Sequence, residues 1–170
     1  AGGNSPSSRS DLEPYKLNLE HYSIKDDPAL SNREKLVLLD PNGSQDEQER
    51  AAVEVVVSFS DMANWCLERL GACSVEYDLR PFASGIFARQ WNIEVLNKAL
   101  GEDGRVRTVE SKITPREIDS DSDNFMVTVC EESHAELLVS SPQGQGYDDV
   151  VSETLLTAQV KRYTVIEEIS

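Results

Sequence analysis

The chain has 170 residues, with 16 Lys and Arg against 31 Asp and Glu, a net charge of −15 and 39% apolar side chains. That length favours one domain with a core large enough to stand without staples, and no apolar run approaches the roughly 20 residues needed to span a bilayer, so a soluble protein is expected. Its negative field repels phosphate backbones and anionic lipid, which argues against nucleic acid and membrane surfaces as partners.

The charge is unevenly placed. Residues 113–153 carry ten acidic side chains and one basic one, a net of −9, whereas 73–112 balance at zero. Acidity serves solubility in most proteins, but concentrated in one stretch it also suits a basic protein partner. Cys66, Cys73 and Cys130 fall within apolar patterns and include no C-x-x-C pair. They are expected as buried reduced thiols, the state found in an intracellular or organellar compartment. A Cys66–Cys73 bridge is the alternative and would close only a short loop. The chain opens on Ala1 rather than Met, which fits either processing or a trimmed sequence, so any targeting segment lies out of view.

Taken in order, residues 1–11 (AGGNSPSSRSD) are small and polar and are expected as an extended or disordered tail. This leaves 12–170 as a single domain. Tyr15, Leu17 and Leu19 alternate with Lys16, Asn18 and Glu20, the period of a half-buried strand ending by Asp27-Pro28. Ser31 and Glu34 form a capping-box pattern ahead of KLVLLD, which reads equally as a short helix or a buried strand. Asp40-Pro41-Asn42-Gly43 is a turn.

The stretch Ser44 to Gly71 carries start, periodicity and stop signals for one long helix. Ser44 and Glu47 match a capping box, and Asp46, Glu47 and Glu49 complement the positive end of the macrodipole. Ala52, Val56, Phe59, Ala63, Cys66 and Leu70 form the apolar stripe, with Trp65 at its edge, and Gly71 supplies the stop. VEVVVSF alone would pass for a strand because Val55, Val56 and Val57 are β-branched. Length and the two end signals favour the helix.

Cys73, Val75, Tyr77 and Leu79 alternate with Ser74, Glu76 and Asp78, which predicts a strand ended by Arg80-Pro81. Ser84 to Leu100 shows helical spacing at Ile86, Ile93, Leu96 and Leu100. After the turn at 101–104, strand patterns follow over 105–113, 125–130 and 135–139, then a Gly/Pro/Gln loop, SSPQGQGYDD. In the last stretch, 154–169, the apolar phase shifts from Leu156, Ala158 and Val160 to Tyr163 and Val165, which predicts a bulge or bend near Lys161-Arg162.

Helical material therefore concentrates before residue 100 and strands after it. The fold class expected is α+β: a long helix and a shorter one packed on a curved antiparallel sheet formed mainly by the C-terminal half. This order of elements resembles in outline the cone-shaped folds of the nuclear-transport-factor-2-like group. That resemblance implies a pocket between a bent sheet and its helices.

Chemical motifs are sparse. Asp119, Asp121 and Asp123 in IDSDSDNF have the opening spacing of a calcium loop, but the sixth position is Asn124 and the twelfth Cys130, so a solvated acidic turn is expected. His21 and His134 are the two histidines and complete no zinc set. Cys130 and His134 are conceivable as a nucleophile pair but have no orienting third member. The sequence has no G-x-S-x-G elbow, phosphate-binding loop or dinucleotide fingerprint. No metal and no cofactor are expected.

Two functional readings follow. The first is a non-catalytic binding or assembly protein whose acidic face, Glu117, Asp119, Asp121, Asp123, Glu131, Glu132 and Glu136, meets a basic protein partner. The second is a small pocket-bearing protein, an acid–base enzyme or ligand carrier, with Tyr77, Asp78 and Trp91 lining the pocket and a buried carboxylate at work. A homo-oligomer is a third reading, which needs an exposed apolar patch.

Overall fold

The structure, a computed structural model, describes residues 15–23, 47–100, 104–121, 124–140 and 149–168. The tail, the Ser31–Glu34 pattern, Ser44 and Asp123 lie outside the described residues. The expected α+β architecture is present. Strand β1 (Tyr15–Ser23) is followed by helix α1 (Glu47–Glu68), a single π-helical turn (Val75–Leu79) and helix α2 (Gly85–Trp91), which continues through a second π turn (Asn92–Leu96) to Leu100. Three long strands follow: β2 (Arg105–Asp121), β3 (Asn124–Ser140) and β4 (Asp149–Glu167).

The strands form one antiparallel sheet in the order β1-β4-β3-β2. Successive side chains alternate between faces, so Phe125, Val127 and Val129 of β3 share one face with their neighbours Val165 and Tyr163 of β4. Against that face lie Ala52, Val55, Val56, Phe59 and Ala63 of α1, together with Phe87, Ala88 and Trp91 of α2. Val55, Val56, Val127, Val129 and Val165 are fully buried. The β-branched run of α1 is thus tolerated inside a helix because its side chains fill the core.

Several details depart from the sequence expectations, one being that β2 runs past Pro115 to Asp121 and so holds Asp119 and Asp121 in a strand rather than an acidic turn. Residues 75–79 form a π turn rather than a strand. Cys73 is bonded to Cys66, which holds this segment at the end of α1, away from any sheet edge. Its backbone groups are satisfied locally instead: Asp78 N donates to Ser74 O at 2.7 Å, and Arg80 N to Val75 O at 3.0 Å. The same bond corrects the reading of three reduced thiols; Cys130 alone is free, and it is buried.

On its β3 side β4 has no bulge at Lys161-Arg162, since that register runs unbroken from Phe125↔Val165 to Leu137↔Glu153; on its β1 side the pairing does break there, from Asn18↔Thr164 to Tyr22↔Arg162, with the extra residues in β1. The two apolar series face opposite sides of the sheet, and Leu156 on the far side is exposed. Register breaks fall at Thr108/Glu110 and Pro115/Glu117 of β2, at Leu137/Leu138 of β3 and at Asn18/Tyr22 of β1, the last of these facing residues 162–164 of β4. Pro115 is accommodated because β2 is an edge strand and the break lies beside it. The β1 edge is covered: Leu17 N donates to Phe82 O at 2.9 Å and Ser84 N to Leu17 O at 2.7 Å. Ser84 also caps α2, its Oγ accepting from Phe87 N at 3.1 Å.

Candidate functional site: a buried carboxylate in a cavity

Between α1 and the sheet is a cavity of about 270 Å³. Its walls differ in chemistry. The helices contribute Phe59, Ala63, Leu67, Trp91 and Val95, while the sheet contributes hydroxyl, amide and charged groups from Ser111, Ser133, Thr157, Gln159 and Lys161. The register explains the polar wall: Ser133 is flanked by Ser111 on β2 and Thr157 on β4, and Glu131 stands opposite Gln159. The Phe59 ring meets Phe87 edge-on at 5.0 Å and Trp91 at 6.3 Å, which fixes the aromatic wall.

Glu131 sits at the junction of the two walls. Its residue is 9% exposed, and three donors converge on its carboxylate. Ser60 Oγ of α1 donates to Oε1 at 2.9 Å. Lys161 Nζ lies 2.6 Å from Oε2, and Tyr163 Oη donates to the same oxygen at 3.5 Å. Burial, and then the negative charge and hydrogen bond of Glu131, push the Tyr163 phenol well above its usual range. Tyr163 is therefore a proton-bearing donor across the physiological range. A carboxylate with a helix hydroxyl, a strand ammonium and a phenol around it can orient a polar ligand or exchange a proton with one.

A second, more open groove borders the first, sharing Asn64 and Ser111 with it and adding Asp61, Trp65, Glu68, Arg69 and Thr108–Glu110. Loss of water contact raises the Asp61 carboxyl above its ordinary range. The Arg69 guanidinium stands 5.3 Å from the Trp65 ring centroid.

The sequence-predicted site residues are dispersed. Trp91 lines the cavity. Tyr77 is 84% exposed on the π turn, and Asp78, beside it, accepts from Ser74 N through Oδ2 at 2.7 Å; neither lines the cavity described. Their separation from Trp91 follows from the 73–79 segment being a turn at the end of α1 rather than a strand of the sheet.

Of the acidic set, Glu131 points toward the helices, while Glu132 and Glu136 lie on other positions of β3. Glu132 stands opposite Lys112, and Glu136 pairs with Arg107, whose Nε donates to it at 3.2 Å. Glu117 and Asp119 face Thr128 and Met126 across the β2–β3 ladder. Asp121 ends β2 opposite Asn124. Cys130 and His134 are four residues apart on one extended strand, about 13 Å, which keeps them from acting as a nucleophile pair.

Sequence reasoning missed Ser60, Lys161 and Tyr163. Tyr163 and Lys161 did carry a signal: they alternate with Arg162 in the phase of buried Val165, so Lys161 is a charge at a core-facing position. Such a position calls for a buried counter-charge.

Comparison of the chain with protein-family models, curated proteins and solved structures returns no significant match, so the site's geometry alone carries the functional reading.

Proposed function

We propose that the protein binds a small molecule in the cavity between α1 and the sheet, with Glu131 as the anchoring carboxylate. The observation that carries this reading is the convergence of Ser60, Lys161 and Tyr163 on a buried Glu131 that lines a cavity. Cavities that pair an apolar wall with a few fixed polar groups are the usual form of small-molecule sites. At about 270 Å³, this one suits a metabolite-sized guest with one apolar face and a hydroxyl, amide or amino edge. The aromatic wall of Phe59 and Trp91 would receive the apolar face. Ser133, Thr157, Gln159 and the Glu131 cluster would receive the polar edge. The same arrangement serves a carrier or an enzyme that moves a proton between ligand and Glu131.

The test is a thermal-shift screen of the full chain against small amphipathic metabolites, followed by isothermal titration of any hit on the wild type and on Glu131→Gln. A ligand that binds only the folded state raises the melting temperature by mass action, and the substitution is expected to weaken its binding by at least about tenfold. Equal affinity for both proteins would remove Glu131 from the site.

An acidic face for a basic partner has narrower support. Glu132 and Glu136 already oppose Lys112 and Arg107, which leaves Glu117, Asp119 and Asp121, each opposite a neutral residue of β3, as its best-placed members among the described residues. Partner capture that weakens steeply with added salt, and that is lost in the Glu117→Lys/Asp119→Lys double variant, would favour this reading.

A further inference from the structure

We propose that Cys66, Cys73 and Asp78 form a redox-gated site for a zinc-like divalent cation, closed while the two cysteines are bonded and open when they are reduced. The two sulfurs and a carboxylate oxygen of Asp78 lie within 4.8 Å of one another, a spread that one ion can draw together. No other trio of His, Cys, Asp and Glu converges in this way among the described residues.

The local fold brings these three together for separate reasons. Cys66 is in the last turn of α1, in the core. Beyond it the chain turns sharply, with the amides of Ala72 and Cys73 both donating to Arg69 O at 3.0 Å, and this returns Cys73 beneath the helix end. The π turn then presents Asp78, whose Oδ2 is oriented by the Ser74 amide. Cys66 is fully buried, whereas Cys73 and Asp78 are half-buried. A bound ion would thus have its open side toward solvent, with room for water or an outside ligand in the fourth position.

Two sulfurs and one carboxylate oxygen suit zinc and exclude calcium and magnesium, which take oxygen ligands. The steps balance simply. A dithiol reductant passes two electrons and two protons to the Cys66–Cys73 bond and leaves as its own disulfide. The cation then binds both sulfurs as thiolates, and two protons go to solvent.

The experiment uses the full chain, reduced anaerobically with a phosphine and titrated with Co²⁺ as a spectroscopic substitute for zinc. The expected result is the thiolate-to-cobalt charge-transfer band and the strong visible bands of tetrahedral cobalt, saturating at one equivalent in the reduced protein and missing from the oxidised one. Cys73→Ser should abolish the bands, and Asp78→Asn should weaken binding by about tenfold or more. Cys130→Ser should leave binding unchanged. No bands in the reduced protein would overturn the proposal. So would binding that needs Cys130, or binding indifferent to Asp78→Asn, which is the behaviour expected of thiols in a chain that unfolds on reduction.

Discussion

Glu131 and Lys161 are diagonal neighbours across β3 and β4: Val129 stands opposite Lys161 and Gln159 opposite Glu131, yet Lys161 Nζ reaches to 2.6 Å from Oε2 of Glu131. Long side chains can span such a diagonal. Both groups point to the helix side, where the pair is mostly shielded, the lysine side chain 22% and the glutamate 11% exposed.

Lys161→Met should destabilise the fold by about 2–3 kcal/mol, somewhat less than for a fully enclosed pair, because the carboxylate keeps Ser60 and Tyr163 but loses its counter-charge. Adding Glu131→Leu should recover much of that loss, since no buried charge then remains. Urea unfolding of the two single variants and the double variant measures the coupling. Additive losses would show that the two charges do not depend on each other.

Tyr163 sets an alkaline limit. Its folded pKa lies well above the ordinary value of 10.0, so above about pH 10 the unfolded chain releases a proton that the folded chain keeps. Folding stability therefore falls as pH rises, by about 1.4 kcal/mol per pH unit from this group, and the contribution is fully present below that pH. Tyr163→Phe should remove this slope while other groups continue to titrate. The difference between the two stability–pH curves above pH 10 is the quantity to measure, and parallel curves would contradict the assignment.

The Cys66–Cys73 bond closes a loop with a sequence separation of 7, which corresponds to about 2–3 kcal/mol of stabilisation. Reduction, or Cys73→Ser, should lower the melting temperature by roughly 5–10 °C for a domain of this size. Reduction of Cys73→Ser, in which Cys66 has lost its partner, should then have no further effect. Differential scanning calorimetry with and without a phosphine distinguishes the two.

Much of the scaffold was legible because it rests on local signals. The apolar stripe from Ala52 to Cys66 marks α1, and the alternation of Phe125, Val127 and Val129 marks β3, since one face of each element is buried. The site was less legible because it depends on register. Glu131 continues the buried phase of Phe125, Val127 and Val129, which separates it from Glu132 opposite Lys112, but the groups that meet it in the cavity are set by how β3 pairs with β4 and packs on α1. Ser60 and Lys161 reach Glu131 from elements distant in sequence. Tyr77 and Asp78 show the opposite case: their strand-like alternation is real, but the bond between Cys66 and Cys73 removes the segment from the sheet.

A ligand site in the cavity between α1 and the sheet should be lost when that cavity is filled. Ala63 is nearly buried on α1 and lines the void, so Ala63→Leu should place its added carbons there with little change in the stability of the unliganded protein. In the thermal-shift screen, at least one small amphipathic metabolite is expected to raise the wild-type melting temperature by roughly 5–10 °C when present at about 100 times its Kd, with no shift in Ala63→Leu. No stabilising compound across the panel, or one that stabilises both proteins equally, would contradict it.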